Sequence, residues 1–192
     1  DLLVSGTVPL RDDDVLYGRD ADETYNGGKG NDFIAGKEGD DRLFGDKGDD
    51  YLEGGKGDDY LKSGTGNDVL NAGKGDDYLS GGLGDDYLSA GSGDDVLNGG
   101  RGDDLVDGGK GDDFLRGFSG NDELHGGLGS DVLTGGEGAD RFVCRDFKES
   151  GVGEGKRDVI TDFSSSEGDK IDLSAIAEDF VFIGSSDFTG TR

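Results

Sequence analysis

An aspartate returns every ninth residue, at Asp32, Asp41, Asp50, Asp59, Asp68, Asp77, Asp86, Asp95, Asp104, Asp113, Asp122, Asp131 and Asp140, without one insertion to disturb the count. An acid–base pair needs two carboxylates held in unlike environments, so thirteen in identical surroundings point to cation ligands instead. Each aspartate is position 6 of a nonapeptide that runs thirteen times from Gly27 to Val143 and reads G-G-x-G-[DN]-D-x-L-x in a regular copy, Gly54 to Lys62. Position 4 is glycine in every copy, from Gly30 to Gly138, and position 8 is always large and apolar: Ile34, then leucine except at Val106 and Phe142.

These residues dictate the elements that must position the carboxylates. Glycine at positions 2 and 4 permits positive φ, which predicts a tight turn over positions 1 to 6. Positions 7 to 9 then form a very short strand with its middle side chain on one face. Strand, turn, strand and turn make an eighteen-residue coil, and coils stack in parallel about 4.8 Å apart. The expected fold is all-β, a right-handed parallel β-roll with two units per coil, because parallel crossovers strongly prefer that hand. Each aspartate then lies over the one eighteen residues earlier. One apolar side chain per nine residues is a thin core, and stacked carboxylates repel each other. A hard divalent cation would relieve the repulsion and cross-link the coils. Calcium fits best, because it accepts 6 to 8 oxygens in flexible geometry, whereas magnesium demands near-ideal octahedra and retains water.

The repeat G-G-x-G-x-D-x-U-x resembles that of the RTX, or hemolysin-type, calcium-binding proteins. The resemblance implies a β-roll with ions between the turns of neighbouring coils. It further implies that the position 6 aspartates supply carboxylate oxygens and that turn glycines supply main-chain carbonyls. Carried over, those glycines are Gly28 and Gly30, Gly55 and Gly57, Gly64 and Gly66, Gly73 and Gly75, Gly82 and Gly84, Gly91 and Gly93, Gly100 and Gly102, Gly109 and Gly111, and Gly127 and Gly129. Position 5 residues such as Asp58 and Asp76 take a solvating or outer role. Some copies depart from the pattern: Lys37, Asp46 and Phe118 replace the second glycine, and Ser130 and Ala139 replace position 5. Two worn units, Pro9 to Tyr17 and Gly18 to Asn26, precede the array in register; they keep Asp14 and Leu16 but carry Glu23 at a ligand position. After the array, residues 157–176 and 182–191 look like the cap of serralysin-type secreted proteases, in which Val159 to Phe163 and Lys170 to Leu173 would form short strands over the open edge.

Composition bounds the function. The 192 residues hold 45 Asp+Glu against 19 Lys+Arg, for a net charge of −26, with 30% hydrophobic residues and 41 glycines. Such a chain would ordinarily be disordered, and its period argues otherwise. Its acidity disfavours nucleic acid and anionic membrane partners, and no apolar run reaches membrane-span length. About ten divalent ions would contribute roughly +20 and nearly cancel the formal charge. Beginning at Asp1 without Met and stopping at Arg192, the chain reads as a piece of a longer product with a truncated cap. The expected division is residues 1–26 as a degenerate lead-in, 27–143 as the calcium β-roll and 144–192 as the cap.

No catalytic constellation is legible. The single histidine, His125, sits at position 9 and reads as an outward strand residue; there is no H-E-x-x-H helix and no G-x-S-x-G elbow. Cys144 reads as an idle thiol, and Arg101-Gly102-Asp103 falls within a turn and reads as coincidence. Position 7 carries aromatic and β-branched ladders, among them Tyr60, Tyr78 and Phe114, which suit either strand stacking or a partner surface. The expected protein is an extracellular, type I secreted, calcium-folded module. Its partners are calcium, the type I secretion machinery and an upstream domain. The alternatives are the detached tail of a secreted metalloprotease or polysaccharide-modifying enzyme, or a segment of an adhesin.

Overall fold

Alternation at positions 7, 8 and 9 sends one side chain per unit inward, and the position 8 column from Leu16 to Phe142 is buried to 4% exposure or less. The structure, a computed structural model, describes residues 12–145 and 157–174. Seventeen strands follow one another: β1 Val15–Tyr17, β2 Thr24–Lys29, β3 Phe33–Glu38, β4 Arg42–Lys47, β5 Tyr51–Lys56, β6 Tyr60–Thr65, β7 Val69–Lys74, β8 Tyr78–Leu83, β9 Tyr87–Ser92, β10 Val96–Arg101, β11 Leu105–Lys110, β12 Phe114–Ser119, β13 Glu123–Leu128, β14 Val132–Glu137, β15 Arg141–Val143, β16 Val159–Ile160 and β17 Lys170–Asp172. Odd strands make a nine-stranded sheet and even strands an eight-stranded sheet. Pairing is parallel throughout, and in the repeats each residue lies beside the one eighteen later, as Leu61 does beside Leu79. The parallel two-sheet solenoid is the expected fold.

The strands are longer than the sequence suggested. They continue through positions 1 to 3 of the next unit, which leaves only positions 4 to 6 for the turn. The reason is that the position 2 residue bends the chain without leaving the ladder: Gly55 pairs with Gly73 and Lys56 with Lys74, while Gly54 and Ala72 at position 1 drop out. Position 1 faces inward, where Ser63, Ala72 and Ala90 are fully buried. The core therefore has a second, small-residue column beside the leucines. The three departures at position 2 do not alter the backbone: Lys37, Asp46 and Phe118 hold φ of 91°, 72° and 79°, a strained choice for residues with a Cβ.

Both ends are drawn into the same two sheets. β1 and β2 continue them at the amino end, with Tyr25 as a buried position 8 residue. At the other end β16 pairs with β14 and β17 with β15, so the expected strands in this segment extend the stack as a further coil. The segment 182–191 lies outside the described residues. Leu61 is fully buried between Leu43 and Leu79. Leu61→Ala is expected to cost about 2 to 5 kcal/mol in thermal or denaturant unfolding of the calcium-loaded protein.

Candidate metal centre

A position 6 carboxylate has two oxygens, and the fold uses them differently. The Oδ1 of each accepts the main-chain N–H of the position 6 residue one coil earlier. Asp59 N–H donates to Asp77 Oδ1 at 2.7 Å and Asp77 N–H to Asp95 Oδ1 at 2.7 Å. The Oδ2 of all thirteen aspartates is buried without a hydrogen-bond partner, as is that of Asp14. Buried charged oxygens without partners are costly, so a partner of another kind is required.

Main-chain oxygens converge on the same space. A Cβ placed on Gly54 would overlap Asp59 Oδ2 and stand 2.8 Å from the carbonyl oxygen of Ala72, one coil on. One placed on Gly75, with φ of 128°, would collide with the carbonyl of Gly57. The glycines thus leave room for carboxylate and carbonyl oxygens of successive coils to approach each other. Among the described residues no three His, Cys, Asp or Glu side chains gather into a metal cluster. A shell here must combine carboxylates with main-chain carbonyls. Donors that are all oxygen fit a hard cation and exclude a preference for zinc or copper.

Burial acts on the carboxyl groups in the way a cation site would require. Loss of hydration raises the whole inner column, opposed by the N–H each group accepts and assisted by repulsion from its neighbours along the stack. Asp77 and Asp113 are pushed up to about 8, Asp50, Asp59, Asp86 and Asp122 to about 7, and Asp41, Asp95, Asp104 and Asp131 to about 6. Asp32, Asp68 and Asp140 are raised as well. In the folded roll without a counterion, the groups pushed to about 7 and about 8 are the ones that retain protons at neutral pH.

Several features escaped the sequence reading. Position 5 does more than solvate: it builds a second, exposed ladder of opposite direction, in which Asp76 N–H donates back to Asp58 Oδ1 at 2.9 Å and Asp58 N–H to Asp40 Oδ1 at 2.9 Å. Ser130 and Ala139, which lack a position 5 acid, still donate their N–H groups to Asp112 and Asn121. Glu23 at the start of its column donates its N–H to Asp41 Oδ1 at 2.9 Å and turns its own Oε2 back to the N–H of Arg19 at 2.6 Å. Beyond the repeats, Asp158 Oδ1 accepts from Asp131 N–H at 3.1 Å and Asp169 Oδ1 from Asp140 N–H at 3.0 Å, so both carry on the inner columns. Their signal was present as D-x-[IL] in Asp158-Val159-Ile160 and Asp169-Lys170-Ile171. Asp169 Oδ2 is engaged, at 2.7 Å from Ser164 N, so this column ends in a hydrogen bond. Asp162 takes the N–H groups of Gly135 and Gly136 at 3.0 and 2.9 Å. His125 lies beside Asp107 in the outer position 9 column but is buried rather than exposed, at 6% exposure, with Nδ1 3.1 Å from the Asp107 carboxylate.

The family model of the RTX calcium-binding nonapeptide repeat matches seven segments that overlap or adjoin, residues 10–34, 26–61, 35–70, 54–88, 62–97, 81–115 and 116–143. No curated protein matches the chain. Those segments run unbroken over most of the sequence and coincide with the coils that carry the orphaned aspartate oxygens. The chain belongs to the RTX calcium-binding nonapeptide repeat family, and its β-roll is a structural unit that binds several calcium ions.

Proposed function

We propose that this β-roll is a calcium-triggered folding module of a type I secreted, extracellular protein, with the position 6 aspartates as its carboxylate ligands. The observation that carries the reading is the column of thirteen buried Oδ2 atoms without partners, with main-chain carbonyls of the next coil close by at Asp41, Asp50, Asp59, Asp86, Asp113 and Asp122. Calcium, when bound, supplies the positive charge that allows those carboxylates to ionise in place. The chain does the rest. Oδ1 is held by the N–H of the preceding coil, which orients Oδ2. Glycines at positions 2 and 4 of the turns, Gly55 and Gly57 or Gly73 and Gly75 among them, present the carbonyls, and the leucine column fixes the spacing. Glu23, Lys37, Asp46 and Phe118 mark weaker sites, because each changes a side chain in or beside a turn.

In calcium-poor cytosol the acidic repeats would stay unfolded and fit a narrow export channel; extracellular calcium would fold them. Residues 144–192 act as a cap and 1–26 as the junction to an upstream domain, which is where any catalysis of the parent protein would reside. Far-ultraviolet circular dichroism during a calcium titration from a chelated start tests the reading. A cooperative coil-to-β transition near millimolar calcium, not reproduced by magnesium, is expected. A β signal already complete in chelator would overturn it.

A further inference from the structure

The two outer faces of the roll are unequal. Positions 7 and 9 point outward, and on the nine-stranded sheet these columns include Glu53, Asp107, Glu123 and Asp172. On the eight-stranded sheet the same columns contain no carboxylate among the described residues, in a chain with 45 Asp+Glu. They carry Arg42, Lys62 and Arg116 together with Phe44, Tyr60, Tyr78 and Phe114. Phe114, Phe118, Val96, Tyr78 and Leu83 on this face are all substantially exposed.

The order of residues along this face is self-complementary about β8. Strands equally distant on either side are β6 and β10, β4 and β12, and β2 and β14. Column by column, Arg42 in β4 corresponds to Phe114 in β12, and Phe44 to Arg116. Asp46 corresponds to Phe118; these are the two residues at position 2 on this sheet that are not glycine, and both pay for a positive φ. Lys29 in β2 corresponds to Glu137 in β14. An open trough of about 570 Å³ lies over Val96 and Gly100 and is walled by Tyr78, Phe114 and Phe118. The residue that corresponds to its Val96 floor is Tyr60, whose ring stacks on Tyr78 at 4.9 Å and has the Arg42 guanidinium 5.9 Å from its centre.

We propose that two copies of this chain pair through their eight-stranded sheets, about a two-fold axis that runs along β8. Rotation about that axis keeps each column facing itself and reverses the order of strands. Every correspondence above then becomes a contact between one protomer and its partner. Arg42 lies over an aromatic ring, Tyr60 fills the trough, Lys29 meets Glu137, and Arg116 comes within reach of Asp46. The size lies at the lower end for a stable interface: the seven strands β2 to β14 that overlap about β8 span six spacings, a face of roughly 20 by 29 Å, about 580 Å² on each side, where stable interfaces bury from about 600 Å² per partner. With its carboxylates calcium-loaded, the chain's acidity no longer opposes the approach of a second copy.

Sedimentation velocity in calcium tests this, with circular dichroism to confirm that each variant folds. The parent is expected to sediment as a dimer of the 19.9 kDa chain. Phe114→Lys, which sets a cation opposite Arg42, should raise the dissociation constant at least tenfold, while Tyr87→Lys on the other sheet should not change it. Lys29→Glu should weaken the dimer, and Lys29→Glu with Glu137→Lys should restore it, since only this register joins those two residues. A folded parent that stays monomeric at all concentrations overturns the proposal. So does a dimer indifferent to Phe114→Lys, a charge swap that fails to restore it, or a monomer whose face instead binds heparin as a model acidic polymer.

Discussion

Asp77→Ala should cripple calcium-dependent folding far more than Asp77→Asn, although both remove one charge. Asp77 stands mid-array, its Oδ1 accepting the N–H of Asp59 and its Oδ2 buried without a partner. Alanine deletes both oxygens, leaving the buried N–H unpaired at a cost of about 1 to 3 kcal/mol, and removes a proposed ligand as well. Asparagine can keep the Oδ1 acceptor and supply a neutral second group, so it damages the cation site while sparing the ladder. In a calcium titration followed by circular dichroism, the midpoint should shift modestly for Asn, and for Ala by tenfold or more with lower cooperativity. Equal midpoints for both variants and parent would mean that the inner column is not where calcium acts.

Protons and calcium should compete for the same oxygens. The carboxyl groups of the folded, calcium-free roll are raised from the ordinary 3.8 to between about 6 and about 8 at ten positions. A raised folded value means that the folded state binds more protons than the unfolded chain between those limits. Stability from this source is complete below about 4 and is lost as the pH rises through 6 to 8. The chelated protein should therefore gain β structure on acidification from pH 8 to pH 5. Asp172 runs the other way. Arg141 holds it down to about 2, so its contribution fails only in stronger acid. Loss of structure on mild acidification would contradict the buried column.

What could be read from the residues was whatever the period carries. Leucine or its equivalent at position 8 named the core, and Asp at position 6 named the column, because both repeat without exception. The length of the strands was not legible, since glycine at positions 1 and 2 looks like a turn until the eighteen-residue pairing shows position 2 in the ladder and position 1 in the core. The position 5 ladder and the extension through Asp158 and Asp169 were missed for a related reason. These bonds join residues 18 to 29 positions apart and leave only the brief D-x-[IL] trace. The burial of His125 had no local signal at all.

The two hydrogen-bond ladders give each coil distinct sides. Toward the carboxyl end a coil offers a position 6 N–H and a position 5 side-chain oxygen; toward the amino end it offers the complementary position 6 oxygen and position 5 N–H. Any coil can thus be followed by any other, provided the joint falls after eighteen residues. An insertion or deletion of two nonapeptides would leave every contact downstream intact. The loss of one would send all later strands to the opposite sheet and interleave the acid-free position 7 and 9 columns with the acidic ones. The array can lengthen or shorten over generations in whole coils, and half a coil is the step that inheritance should refuse.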